Sequence, residues 1–303
     1  YNETSTVSDE VYDAWVDELK DLDPNNELLK SVGHPSEVEE FPKVKHPKNV
    51  SMGSLNKVNL SEEIEKWLCE TAKNQPVILM EKLDGLSVLL CYEDGHLTQA
   101  VLRGNGLEGE NILPNVSKME GVPHIIPDFS GFARGEIILK RSKHQKHFED
   151  YSNPRNAASG LSRRLDGNGC QHLSVIVYQL FSELNPKTEI EQLNQLKQLG
   201  FTVPNFKLCN SFEEVIEFKE NYQNGLRESQ DYDIDGLVMR INDLEHQLSL
   251  GEKNLRPKGA MAIKFASEMR ETEIVSITWQ AGNSGRITPV AQIKPVFLMG
   301  ANI

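Results

Sequence analysis

Apolar and polar positions repeat with two different periods along this chain, and the change of period divides it. Val11, Tyr12, Trp15, Val16 and Leu19 recur at helical spacing behind Ser8 and Asp9, which predicts a capped amphipathic helix. That helix belongs to a small helical segment closing near Gly33-His34-Pro35. A second helix is predicted within residues 56–74, with Ser61 as its cap and Ile64, Trp67 and Leu68 on its buried face. From Val77 the texture turns to strands, over 77–80, 86–93, 96–103, 132–139 and 173–181. Helices over 190–199 and 212–222 alternate with further strands over 201–207 and 236–241, and a new β module opens at Glu271. The pattern is α+β, with packed, mainly antiparallel sheets and flanking helices. The expected organisation is a helical segment at 1–36, a central domain at 37–268 and the start of a β module at 269–303.

Composition narrows the class. A chain of 303 residues with 38% hydrophobic and 25% charged residues can bury a sizeable core and hold more than one domain. No apolar run approaches the roughly 20 residues needed to cross a bilayer, so no membrane partner is expected. Cys69, Cys91, Cys170 and Cys209 are scattered without a Cys-x-x-Cys pair. That argues against a disulfide framework or a zinc site and for a reducing cytoplasm. The net charge of -13 opposes a protein that grips nucleic acid through its own basic face. Either DNA is not the substrate, or other domains hold it.

The candidate chemistry centres on Lys82-Leu83-Asp84-Gly85, a lysine at the end of the apolar run Val77-Ile78-Leu79-Met80. A lysine amine is a nucleophile only when uncharged, and its ordinary pKa of roughly 10.4 keeps it charged. Desolvation or nearby cations favour the free amine. In an extended segment Asp84 points to the same side as Lys82, and Gly85 admits a close approach. Four further stretches follow in order: Arg103-Gly104-Asn105-Gly106, Ala133-Arg134-Gly135-Glu136, Asp235-Gly236-Leu237-Val238-Met239-Arg240 and Ala262-Ile263-Lys264-Phe265. Each alone reads equally as an ordinary strand-end charge or a turn. The stretch Gly104-Asn105-Gly106-Leu107-Glu108-Gly109 formally matches a dinucleotide-binding Gly-x-Gly-x-x-Gly. Pro114 interrupts the segment that would have to be its helix, and the second strand is missing, so that reading is set aside.

Taken together, these motifs resemble those of the covalent nucleotidyltransferases, and within them the NAD-dependent DNA ligases. Two more stretches are similar to that branch: Asn153-Pro154-Arg155-Asn156-Ala157-Ala158-Ser159-Gly160, and Trp279-Gln280-Ala281-Gly282 with Arg286-Ile287-Thr288-Pro289-Val290-Ala291 at the opening of an OB domain. The resemblance implies a nucleotidyltransferase fold of the ATP-grasp-like ligase kind. It implies NAD as the adenylate donor, Mg²⁺, nicked double-stranded DNA as substrate, and a place in DNA replication and repair. The chain would then be a monomeric, cytoplasmic piece of a larger enzyme whose further domains grip the DNA. The implied catalytic set is Lys82, Asp84, Glu136, Asp235 and Lys264, with Glu136 and Asp235 on the metal. The implied cofactor contacts are Asp9, Tyr12 and Asp13 to the nicotinamide half, with Ser54, Leu55, Met80, Arg103, Glu136, Arg155, Arg227, Arg240 and Lys264 about the adenylate half. Arg163 aligns with an arginine used near the phosphates, or else makes a helix-surface ion pair.

Two departures stand out. The family carries glutamate two residues before the nucleophile, where this chain has Met80 and moves its acid to Glu81. The Asp-Gly-x-Val strand normally ends in lysine and here ends in Arg240, which keeps charge but not geometry. The competing readings are an ATP- or GTP-using RNA ligase or capping-type relative, and a nucleotide-binding relative without catalysis.

Overall fold

The computed structural model describes residues 40–48, 50, 52–265, 270–281, 287–298 and 301–302. The N-terminal helix expected over residues 11–19, with Asp9, Tyr12 and Asp13, lies outside the described residues. Phe41–Ile303 form one compact unit.

The strands described in that unit, in chain order, are β1 (Lys43–Lys45), β2 (Asn56–Val58), β3 (Val77–Leu83), β4 (Leu86–Glu93), β5 (His96–Leu102), β6 (Glu108–Glu110), β7 (Gly131–Leu139), β8 (Leu173–Ser182), β9 (Phe206–Cys209), β10 (Ile234–Ile241), β11 (Glu252–Lys253), β12 (Arg256–Pro257), β13 (Ala260–Lys264), β14 (Ile274–Ala281), β15 (Ile287–Ile293), β16 (Phe297–Leu298) and β17 (Ala301–Asn302). The main helices are α1 (Ser61–Glu70), α2 (Arg141–His147), α3 (Pro154–Ser162), α4 (Glu189–Gln198), α5 (Phe212–Asn221) and α6 (Leu244–Leu250). One sheet runs β2-β13-β10-β3-β9 and a second runs β5-β4-β7-β8. Pairing is antiparallel throughout both sheets except between β13 and β2. The α+β expectation holds.

Two-residue alternation builds the first sheet. Val77 and Leu79 of β3, Leu237, Met239 and Ile241 of β10 and Ile263 of β13 face one way, onto Ile64, Trp67 and Leu68 of α1 and Val215 of α5. Burying each of those three α1 side chains is worth about 1.5–3 kcal/mol. The α1 helix starts at Ser61 itself, and Glu63 reaches back to accept from the Asn59 and Leu60 backbone N–H groups at 3.1 and 3.2 Å. The cap expected from Ser61 is therefore supplied by a carboxylate, and the stretch ahead of it is strand β2 instead of more helix.

On the opposite face, Ile78 and Met80 share one continuous core with Val88 and Leu90 of β4, Ala133 of β7, Val175 of β8 and Leu193 and Leu196 of α4. The link between the two sheets is the turn Asp84-Gly85, which ends β3 and starts β4. A side chain at Gly85 would bring its Cβ within 2.2 Å of the Ile137 carbonyl oxygen, so only glycine lets the two sheets meet here. The strand expected over 201–207 forms later, at β9, and the 153–160 signature stretch forms the helix α3. Residues 104–109 form a turn and strand β6, and the helix that follows the glycines is a single turn, Leu113–Val116, with Pro114 at its start.

Candidate functional site

Where β3 hands the chain to β4, a cleft of about 1300 Å³ opens. That is ample for a dinucleotide. Lys82 of β3 and Lys264 of β13 both stand in register with Gly236 of β10, so both ammonium groups leave the same face of the sheet from one row. Between them β10 carries a β-bulge: Ile234 pairs with Leu83 and Gly236 with Lys82, leaving Asp235 as the extra residue. A bulge re-aims its side chain, and Asp235 is delivered between the two lysines. Lys82 Nζ lies 2.9 Å from Asp235 Oδ1 and 3.1 Å from Oδ2, and Lys264 Nζ closes on Oδ2 from the other side. All three side chains are about one-quarter exposed.

The second sheet supplies the facing wall. Ser87 of β4 and Glu136 of β7 are direct cross-strand partners, and Ser87 Oγ donates to Glu136 Oε2 at 2.8 Å. On β8 a second bulge interrupts the register opposite Arg134 and Gly135, and Tyr178 is its extra residue. The Tyr178 hydroxyl points to Glu136 Oε2 at 3.5 Å, and the Arg134 guanidinium sits 5.8 Å from the Tyr178 ring centroid. Arg134 Nη2 also donates to the Gly53 carbonyl at 3.0 Å.

Burial pushes the Glu136 carboxyl above its ordinary value, against the opposing pull of the Ser87 hydrogen bond and the charges of Lys82, Arg134 and Arg155. A carboxyl raised in the folded state binds its proton more tightly there than in the unfolded chain. Its contribution to stability therefore falls as pH rises past the ordinary value of 4.5 and through the raised one. Thermal unfolding without divalent cations should thus find Glu136→Gln more stable than wild type at pH 7, with the difference shrinking as pH is lowered to 4.5. A constant difference across that range removes burial of Glu136 as the cause.

The remaining sequence candidates divide. Ser54, Leu55, Met80, Asp84, Arg103 and Arg155 all line the cleft. Asp84 lies in the turn, and its Oδ1 is held by Arg155 Nη1 at 2.7 Å. Arg103 is exposed at the rim, with its carbonyl 3.1 Å from His46 Nε2. Arg240 reaches the cleft wall, but its Nε is tied to Glu189 Oε1 at 2.6 Å, with Gln247 on its Nη2. Its charge is matched by a buried carboxylate. Arg227 lies outside the cleft, its guanidinium 5.4 Å from the Phe265 ring centroid. Arg163 pairs with Glu110 at 2.7 Å, the helix-surface alternative.

The family described as the NAD-dependent DNA ligase adenylation domain matches residues 38–268. This chain belongs to that family. A DNA ligase of Sorangium cellulosum is 38% identical over 323 residues, covering 98% of this chain and 47% of that protein. A DNA ligase of Treponema denticola is 38% identical over 322 residues, covering 100% of this chain and 48% of that protein. The chain thus spans about half the length of the curated relatives it matches. A solved ATP-dependent DNA ligase from bacteriophage T7 in complex with ATP is a distant likeness, at TM-score 0.41 and 13% identity over 80% of this chain and 82% of that one.

Several side chains of this adenylation domain escaped the sequence reading. Ser87 and Tyr178 come to Glu136 from two other strands, and nothing in their distance along the chain announces it. Two-residue alternation back from Glu136 along β7 does place Arg134 on the same face. Tyr178 follows the face of Ile176, the cross-strand partner of Glu136, but that pairing is not written in the sequence. Glu189 sits 51 positions before Arg240 and reads, by itself, as a first-turn helix acid.

Proposed function

We propose that this adenylation domain loads itself with AMP from NAD at Lys82 and passes the AMP to the 5′-phosphate of a nick in double-stranded DNA. The neighbouring 3′-hydroxyl then displaces AMP and seals the strand. The observation that carries the reading is a lysine at the junction of two sheets, paired to a bulged aspartate inside a dinucleotide-sized cleft, in a chain of this family.

In the first step the Lys82 proton passes to Asp235, 2.9 Å away, and the freed amine attacks the α-phosphorus of NAD in line. A P–N bond forms as the P–O bond to nicotinamide mononucleotide breaks, and that mononucleotide leaves with the electron pair. Lys264 steadies the Asp235 carboxylate and brings positive charge beside the phosphate oxygens. The Tyr178 ring and the side chains of Met80 and Val238 give the cleft an apolar wall suited to a base.

Mg²⁺ fits this site through Glu136. Among the described residues no group of three histidine, cysteine or carboxylate ligands gathers, and magnesium needs only one or two carboxylates besides phosphate oxygens and water. Glu136 opens onto the cleft, while both Asp235 oxygens are already taken by lysines. The ion, when bound, would neutralise charge on the transferring phosphate. Asp9, Tyr12 and Asp13 are the proposed contacts to the nicotinamide half, within a helical segment at 1–36. Residues 37–268 are the proposed adenylation domain and 269–303 the start of an OB module, whose β14–β15 hairpin is already formed. We take the acting unit to be a monomer. Since the chain carries a net charge of -13, other domains are expected to provide most of the grip on DNA.

Incubation with Mg²⁺ and either NAD or ATP, followed by intact-mass measurement, tests the reading. The expected result is a gain of one AMP from NAD alone. A gain from ATP alone would reassign the donor, and no gain from either would overturn the proposal.

A further inference from the structure

Glu81 is the one charged residue of the nucleophile strand that this chemistry leaves unused. Alternation along β3 sends Met80 and Lys82 to the cleft and Glu81 to the opposite face, beside Leu79, where it is 3% exposed. A carboxylate in an apolar core needs compensation. Here four neutral donors supply it. Tyr232 Oη lies 2.7 Å from Glu81 Oε2 and Tyr222 Oη 2.9 Å from Oε1. The Asn205 backbone N–H donates to Oε2 at 3.0 Å, and its Nδ2 donates to Oε1 at 2.9 Å. Burial first, and the Glu81 carboxylate second, push both tyrosine hydroxyls well above their ordinary range, so they remain donors at any physiological pH.

The three partners come from separate segments: the lead into β9, the end of α5 and the lead into β10. The last matters most, because Tyr232 stands three residues before Asp235. From there the backbone is pinned step by step. Asp233 Oδ1 accepts from Arg141 Nε at 2.7 Å, and the Asp233 carbonyl accepts from the Asp84 N–H at 2.9 Å. Ile234 then pairs with Leu83, and the bulge delivers Asp235.

We propose that Glu81 is a positioning residue for AMP loading, acting through Tyr232 to set the path of residues 232–235 and so hold Asp235 between Lys82 and Lys264. The inference rests on Lys82 being the nucleophile. Aspartate is short, and its reach to both lysines tolerates little movement of its backbone. A displacement of about 1 Å at a reacting group costs on the order of a hundredfold in rate.

The test is single-turnover AMP loading of the chain at saturating NAD and Mg²⁺, with thermal unfolding alongside and a crystal structure of Tyr232→Phe. Tyr232→Phe and Glu81→Gln are expected to lower the rate constant about tenfold while the half-saturating NAD concentration stays within about twofold of wild type. Glu81→Gln, which keeps shape and an acceptor oxygen, should lose less than Glu81→Leu. The Lys82–Asp235 separation in Tyr232→Phe should open past roughly 3.5 Å. If Glu81→Leu fails to fold, Tyr232→Phe carries the measurement. Where wild type loads AMP, an unchanged rate constant, or a loss confined to NAD affinity, overturns the inference. Where wild type loads none, the reading of Lys82 falls, and the separation in Tyr232→Phe alone decides the role of Glu81.

Discussion

Lys82→Arg should abolish AMP loading while leaving the fold and the Asp235 ion pair in place. Arginine reaches the same carboxylate and keeps the positive charge, so the row of Lys82, Asp235 and Lys264 remains electrostatically balanced. Its guanidinium does not deprotonate in proteins, and no lone pair becomes available for a phosphorus atom. An intact-mass assay with NAD and Mg²⁺ is expected to show no adduct at any time. The midpoint of thermal unfolding should stay within about 2 °C of wild type, as befits a substitution that opens no cavity. The charge-conserving change is more telling than Lys82→Ala, because it separates nucleophilicity from charge. An AMP adduct surviving at full stoichiometry in Lys82→Arg would place the nucleophile elsewhere.

Breaking the buried pair behind the cleft should have the largest effect on stability. Glu189 is fully buried and Arg240 nearly so, with Nε and Oε1 2.6 Å apart and Gln247 Nε2 donating to the same Oε1 at 2.7 Å. Glu189→Ala leaves a guanidinium in the interior with no carboxylate, a situation that costs about 3–5 kcal/mol. On a chain of this size that corresponds to a fall in melting temperature of roughly 10 °C. Arg240→Met combined with Glu189→Leu removes both charges and should recover much of the loss, since two apolar groups of similar volume need no compensation. Calorimetry of the single and double variants measures the coupling. Equal and additive losses would show that Arg240 and Glu189 act independently, and Arg240 would again be available as a phosphate-binding cation.

The fold was legible in the sequence wherever one face of an element meets the core and the other meets solvent or the cleft. Strands 86–93, 132–139 and 173–181 came within a residue or so of β4, β7 and β8, because alternation there reflects a real division of environments. The helix α1 was legible through Ile64, Trp67 and Leu68 for the same reason. Strand 201–207 was not, because residues 201–205 are held by hydrogen bonds from outside any ladder, such as the one between the Val177 N–H and the Thr202 carbonyl. The stretch 153–160 stood out only through the family it resembles, without an element assigned to it; Asn153 Oδ1 caps the helix α3 by accepting from the Asn156 N–H at 2.8 Å. In the cleft, the order of Lys82, Glu136, Asp235 and Lys264 along the chain was enough to single them out.

The two-residue period and the residue types that carry it are local properties, so the sequence by itself determined the α+β class, and its motifs pointed to the lysine and its acidic companions through the family they resemble. Tertiary structure decided which charges are free to act. The bulge at Asp235 turned toward the cleft a side chain that alternation back from Leu237 and Met239 would have sent into the core. Pairing over long separations fixed the rest: Arg240 was taken by Glu189, Arg227 was drawn onto Phe265, and Glu81 was turned from the cleft into a cage of tyrosines. The physical reason is the same in each case. A charge inside a protein must find its partner in space, and the segments that meet at this cleft lie as far apart in the chain as Lys82 and Lys264.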